Sequence, residues 1–176
     1  MNVGANSPTD YGLYFAWGET QGYTSGTRIF SEENYKYYDG SNYTKYNATD
    51  GKLILDLEDD SAHVNWGGDW QIPTYEQWQE LKSNSTYSKQ TVDGVNGLSF
   101  TSTINGETLF FPFAGCILQG ASTVYDNGRA FYSYGSNSDN NNRCAGIYYN
   151  MYGLGVVNND LRYRGYTIRG IVVPKK

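Results

Sequence analysis

The sequence has few of the residues that build metal, disulfide and membrane structures. Two cysteines and one histidine, His63, occur among 176 residues, too few for a zinc site without carboxylate ligands. No apolar run approaches the roughly 18 residues of a membrane helix, so we expect no membrane insertion. The opening residues, MNVGANSPTDYG, have neither the basic nor the apolar region of a signal peptide.

The two cysteines lie in different contexts. Cys116 is part of the apolar stretch FPFAGCIL, and we expect it to be buried. Cys144 lies at the edge of a polar stretch. We expect both to be reduced thiols. A 116–144 bridge in an exported protein is the alternative.

Charge is scarce and unevenly placed. Residues 1–124 hold 15 acids against 6 bases, a net −9, and residues 125–176 hold 3 acids against 7 bases, a net +4. The second part has five of the six arginines, yet no lysine lies between Lys89 and Lys175. Arginine with tyrosine and without lysine is typical of protein interfaces. A nucleic-acid site would need a stronger basic patch, so we expect no nucleic-acid partner.

Catalytic motifs are missing. The sequence contains no G-x-S-x-G, P-loop or H-E-x-x-H string, and we interpret His63 as a structural residue of a short helix. The acidic run at 58–60 lacks the spacing of a calcium loop and is interpreted as a helix start. We therefore expect no enzyme activity, no cofactor and no metal.

Two helices are predicted. In PTYEQWQELKSN, Thr74 as N-cap and Gln77 three residues later form a capping box. The stretch 57–68 predicts a shorter helix that ends at Gly67. Trp78, in the predicted helix at 73–84, is expected to form much of the core together with Trp66 and Trp70.

Short strands dominate the rest. Residues 98–112 predict a hairpin, with Asn105-Gly106 as a tight type I′ turn, and further strand candidates follow. Residues 20–50 predict a long ordered loop, fixed by aromatic side chains such as Phe30, Tyr35 and Tyr38. The pattern predicts a single α+β domain over residues 1–176.

Several motifs resemble one superfamily. WGGDWQIPTYEQWQELKSN, at 66–84, is similar to the W-x-x-P-T-x-x-x-W segment of formylglycine-generating-enzyme-like domains, and YRGYTIRGIVV, at 163–173, to their closing strand. The elements at 2–20, 57–74 and 165–172 resemble the Fibrobacter-type major paralogous domains still more closely. The resemblance implies a C-type-lectin-like fold, and it makes Arg169 a framework arginine of the closing strand.

The activities of this superfamily do not transfer. The formylglycine generators use two cysteines close in sequence, whereas Cys116 and Cys144 are 28 positions apart. The E-P-N, Q-P-D and W-N-D strings of calcium-dependent lectins are missing. A degenerate relative of the enzymes stays an alternative.

One branch of the superfamily displays a C-terminal segment that retroelements diversify, with Asn codons converted to Tyr, Ser, Asp, Gly or Arg. Residues 125–166, here called the C-terminal segment, contain eight Tyr, eight Asn and four Arg. Related domains that are not diversified can share this composition, so both interpretations stay open.

We predict that the C-terminal segment binds a protein or glycan partner, because Tyr with Asn, Ser and Gly is the composition of antibody loops. In AGIYYN, alternation puts Ile147 and Tyr149 inward and Tyr148 and Asn150 outward. The predicted setting is an adhesin outside the cell or on its surface. A half-buried sheet with a loop tip, or an oligomerising assembly module, are the alternatives. The candidate ligand-binding residues are Tyr134, Asn137, Asp139, Asn141, Arg143, Tyr148, Asn150, Tyr152, Asn159, Asp160, Tyr163 and Arg164.

Overall fold

The computed structural model describes residues 1–125, 130–137, 143–150 and 153–173, of which 130–137, 143–147, 150 and 156–159 are described by their backbone alone. The helices and strands confirm the predicted α+β class. In chain order they are β1 (Tyr14–Phe15), α1 (Ser61–Trp66), β2 (Trp70–Gln71), α2 (Tyr75–Ser83), β3 (Ser85–Val92), β4 (Val95–Ser102), β5 (Thr108–Pro112), β6 (Ala130–Asn137), β7 (Arg143–Asn150), β8 (Gly153–Leu161), β9 (Tyr166–Thr167) and β10 (Ile171–Val172).

The helices begin and end close to the predicted positions. In α2, the Thr74 hydroxyl accepts from the Gln77 amide at 3.4 Å and the Gln77 side chain accepts from the Thr74 amide at 2.8 Å, which confirms the capping box. The carboxylate of Asp60 caps α1, and Gly67 ends it with a φ of 71°. None of the helices in the described parts of the chain has the length and apolar character needed to cross a membrane.

A five-stranded sheet contains most of the C-terminal segment. Its order is β1-β9-β6-β7-β8. Strands β6, β7 and β8 form an antiparallel meander, and β6 runs parallel to β9. Residues 130–137, 143–150 and 153–161 of the segment are therefore built into the sheet, with β8 at its edge.

A three-stranded sheet, in the order β3-β4-β5, includes one hairpin that the sequence prediction missed. Asp93 and Gly94 connect β3 to β4 with φ values of 50° and 79°, as a type I′ turn requires. The predicted β4–β5 hairpin is present, but its tight turn is wrong. Of Asn105 and Gly106, only Gly106 has a positive φ, and a longer loop joins the strands.

The core divides into two clusters. The larger cluster includes Trp17 and Phe30, and the smaller one joins Trp78 of α2 to aromatic residues of β4 and β5. Trp78 is 2% exposed, as expected, but Trp70 is 36% exposed, so its place in the predicted core is wrong. Trp70 lies on β2, which pairs only with the short strand β10 among the described residues and is left at the surface.

Arg162 fixes the long loop from within. This arginine is fully buried, and its guanidinium donates to the carbonyl oxygens of Lys45 at 3.2 Å and Tyr46 at 2.7 Å. It also lies 5.4 Å from the ring of Trp17 and 4.6 Å from that of Tyr43. Arg162 therefore belongs to the core, although it comes from the arginine-rich C-terminal segment.

Candidate functional site

One side of strand β7 is fixed to the smaller core cluster. The ring of Tyr149 stacks on Phe113 with the centroids 5.7 Å apart, and meets Tyr87 edge-on at 6.3 Å. Its cross-strand partner on β8, Leu154, packs against the same cluster. The β7–β8 pair is thus held to the rest of the domain by aromatic packing.

Tyr148 lies on the other side of β7, because neighbouring side chains of a strand alternate. It is half-buried, and its ring lies over Gly155, its partner on β8. A Cβ added at Gly155 would come within 2.4 Å of the Tyr148 ring, so the missing side chain creates the space for the tyrosine. Tyr149 lies inward as expected, whereas the side chains of Ile147 and Asn150 are outside the description.

Two other predicted residues meet where β8 ends. One oxygen of the Asp160 carboxylate accepts from Arg164 at 2.6 Å, and the other accepts from the hydroxyl of Tyr166. The Asp160 and Arg164 side chains stay 24% and 30% exposed. This ion pair is accessible at the edge of the sheet and is held in one geometry by the buried tyrosine.

The prediction for Tyr163 is wrong. Tyr163 is 5% exposed and belongs to the larger core cluster. It lies beside the buried Arg162 in the turn between β8 and β9, which folds over the core. Arg169 contacts β5: it donates to the carbonyl oxygen of Phe110 and lies 4.6 Å from the ring of Phe111.

The other predicted ligand-binding residues have no described side chain. The backbone assigns five of them to the meander, and three lie outside the described residues. The first group is Tyr134, Asn137, Arg143, Asn150 and Asn159, and the second is Asp139, Asn141 and Tyr152. Cys116 is buried as expected, and the side chain of Cys144 is outside the description.

An ion-pair network around Asp59 was not predicted. Three carboxylates, of Asp56, Glu58 and Asp59, lie close enough to share a cation. The ammonium of Lys45 contacts all three, at 2.8, 3.1 and 2.5 Å, and Lys36 binds Asp59 at 2.9 Å. A lysine thus stands where a metal ion would bind, and the acidic run holds the long loop to the start of α1.

The protonation of Asp59 depends on this network. Burial alone would raise the pKa of Asp59, but hydrogen bonds from Lys45 and other neighbours outweigh it and hold the pKa well below its usual range. For Asp60, the helix cap, burial dominates and raises the pKa. Asp59 is therefore a charged structural residue. Its signal in the sequence was an acidic run at 58–60 preceded by the loop lysines Lys36 and Lys45.

A second feature that sequence motifs did not reveal is a polar depression beside β1. Glu19 and Arg28 form an ion pair there, and polar side chains of the loop surround it. The motif GET at 18–20 was the only local signal, and it has no established chemistry.

No protein-family model matches the chain, and neither a curated protein nor a solved structure is significantly similar to it.

Proposed function

We propose that this chain is a ligand-binding, adhesin-like module with a C-type-lectin-like fold. Its C-terminal segment, residues 125–166, recognises a protein or glycan partner outside the cell or on its surface. The fold assignment is supported by the sequence motifs named above and by the α+β architecture. The Tyr, Asn and Arg content of residues 125–166 is compatible with a segment that a retroelement diversifies.

The two-sided packing of β7 is the observation that carries the proposal. Tyr149 packs on Phe113, and this contact ties the meander to a preformed core. Tyr148, the preceding residue, is half-buried on the opposite side of the strand. A sheet that is held on its Tyr149 side presents its other side, here called the front, without a change of backbone. Such preorganisation reduces the entropy lost on binding.

The chemistry of the front suits recognition. Tyrosine supplies a large rigid contact area, and asparagine and serine supply adaptable hydrogen bonds. The half-exposed Asp160–Arg164 pair adds charge at the edge of the same sheet, where arginine often makes binding hot spots. The segment combines these residues on a sheet instead of a loop, and therefore holds them in fixed register.

The proposal is tested by a partner search with a variant of three of the predicted binding tyrosines. Arrays of glycans and of extracellular proteins are probed with the wild-type chain and with Tyr134→Ala/Tyr148→Ala/Tyr152→Ala. We expect at least one partner that the wild type binds and the triple variant binds at least roughly tenfold more weakly, as for hot-spot tyrosines. Tyr11→Ala, a half-exposed tyrosine outside the segment, is the matched control and should bind as the wild type does.

Two results would count against the proposal. One is a partner that the folded triple variant binds as tightly as the wild type. The other is loss of binding in Tyr11→Ala to the same degree, which would move the interface away from the C-terminal segment. Light scattering on the wild type tests the assembly alternative, because an oligomerising module would have a measured mass above the monomer mass of 19.8 kDa.

A further inference from the structure

A polar depression lies beside β1, at the opposite edge of the five-stranded sheet from β8. The site is an open depression of about 540 Å³ between Glu19 and the loop that follows, within the size range of small-molecule sites. Tyr14 of β1 exchanges both backbone hydrogen bonds with Tyr23, at 2.9 and 3.0 Å, which joins this loop to the sheet. No residue of β7 lines the depression. Binding of a ligand there does not depend on the function proposed above.

The base of the depression is a buried ion pair. The Glu19 carboxylate is 7% exposed and the Arg28 guanidinium 14%. Each of the two terminal guanidinium nitrogens donates to one oxygen of the Glu19 carboxylate. One of these nitrogens also donates to the carbonyl oxygen of Asn34 at 2.6 Å. The Lys36 amide donates to Glu19 at 2.9 Å. The base is therefore rigid and internally neutralised.

The walls are held as firmly as the base. Asn65 of α1 donates to the carbonyl oxygen of Thr20 at 3.1 Å. Gly22 brings the loop against Phe15, since a Cβ there would come within 2.5 Å of the ring. A pocket whose walls are fixed in this way is preorganised for a ligand.

The lining excludes three classes of ligand. Glu19 already accepts from Arg28 and Lys36, which leaves it a poor ligand for a metal cation. The Arg28 fork is bound to Glu19, and the Lys36 ammonium binds Asp59 at 2.9 Å although the Lys36 side chain is 49% exposed. Each cation thus already has a carboxylate partner, which disfavours an anionic ligand. The lining has one aromatic ring, of Tyr23, which lies 4.8 Å from the Arg28 guanidinium, and no Val, Leu, Ile or Met, so it offers little surface on which a purely apolar ligand could be buried.

What the lining offers is a set of neutral donors and acceptors. Thr20, Gln21, Thr27 and Asn34 surround the ion pair, and their hydroxyl and amide groups both donate and accept. A matching ligand carries several groups that both donate and accept hydrogen bonds, as the hydroxyls of a sugar do. We propose that the depression binds a neutral saccharide of one or two units.

The test uses sugars of known structure with the whole chain. Saturation-transfer NMR is recorded with glucose, galactose, mannose, N-acetylglucosamine and their common disaccharides at about 10 mM, enough to occupy a site with a Kd of about 1 mM. Glucuronate and inorganic phosphate are the anionic comparisons. We expect transfer to at least one neutral sugar and no greater transfer to either anion.

A pair of matched variants locates the signal. Gln21→Ala/Asn34→Ala removes two wall side chains and should weaken binding at least roughly tenfold, because each lost hydrogen bond contributes about 1 kcal/mol. Gln90→Ala/Asn96→Ala removes the same residue types from a separate depression beside Phe113 and should leave binding unchanged. Melting curves establish that both variants are folded.

Three results would overturn the inference. The first is the lack of transfer to every neutral sugar, and the second is stronger binding of glucuronate or phosphate. The third is binding that the folded wall variant retains or that the control variant loses equally. None of these results affects the partner search, because Gln21 and Asn34 are outside the C-terminal segment.

Discussion

Replacing the buried Trp78 by alanine should destabilise the protein far more than replacing the exposed Trp70. Trp78 is 2% exposed and packs on Phe111, with the ring centroids 5.8 Å apart. Removal of a buried tryptophan from a close-packed cluster costs about 3–5 kcal/mol. Domains have a total unfolding free energy of about 5–15 kcal/mol, so this one substitution removes a large share of it.

Urea denaturation followed by circular dichroism measures the effect. With a urea dependence of about 2 kcal/mol per molar, a loss of about 4 kcal/mol lowers the unfolding midpoint by about 2 M. Trp70→Ala is the matched control, because Trp70 is 36% exposed and meets Trp66 edge-on at 4.8 Å. That contact contributes about 1 kcal/mol, and the midpoint should fall by about 0.5 M.

The comparison of the two variants decides whether the core is placed correctly. A Trp78→Ala midpoint close to the wild type would show that the smaller cluster does not support the fold. An equal loss in Trp70→Ala would show that β2 and β10 pack more deeply than the structure indicates. In either case the support behind Tyr149 would have to be assigned again.

Three further outcomes follow from the same structure. The folded-state pKa of Asp59 lies below its ordinary value, so its stabilising effect is complete above about pH 4 and is lost as the pH falls toward the folded value. Wild-type stability should therefore drop more steeply than that of Asp59→Asn between about pH 5 and pH 2, and parallel curves would contradict this. Arg162→Met should lower the unfolding free energy by about 3 kcal/mol or more, since buried carbonyl oxygens lose a charged donor, and a near-wild-type melting curve would refute the core role of Arg162. Gly94→Ala should cost about 1 kcal/mol or more because its φ is 79°, and an unchanged Gly94→Ala melt would argue against the type I′ turn.

The parts of the fold that were predicted correctly have local causes. The helix after Thr74 follows from a capping box that two side chains complete within four residues. The long loop follows from its aromatic anchors, of which Phe30 and Tyr35 are buried. In both cases the information lies within a short stretch of chain.

The incorrect or missing predictions depend on contacts distant in sequence. Strand β3 is an edge strand that is exposed from Thr86 to Thr91 and carries mostly polar residues. Its best signal was therefore Asp93-Gly94 and not an apolar pattern. The residues that flank Tyr163 in the sequence do not distinguish it from an exposed tyrosine. Only the burial of Arg162 beside it reveals that Tyr163 belongs to the core. Trp70 and Trp78 differ because β2 lies at the surface while α2 faces the sheet.

The candidate site was predictable in part for the same reason. Alternation along β7 correctly gives Tyr149 an inward position, and the register with Leu154 explains it. The pairing of Asp160 with Arg164 and Tyr166 could not be foreseen, because it depends on the turn after β8. The polar depression at Glu19 likewise requires the loop to fold back onto β1.

The central claim is that recognition and stability are carried by opposite sides of β7. Its most direct test is the comparison of Tyr148→Ala with Tyr149→Ala, in melting and in binding to a partner found on the arrays. The account predicts that Tyr148→Ala costs at most about 1 kcal/mol of stability and weakens binding at least roughly tenfold, while Tyr149→Ala costs about 3 kcal/mol. A Tyr148→Ala variant that unfolds as readily as Tyr149→Ala, or that binds its partner as the wild type does, would contradict it.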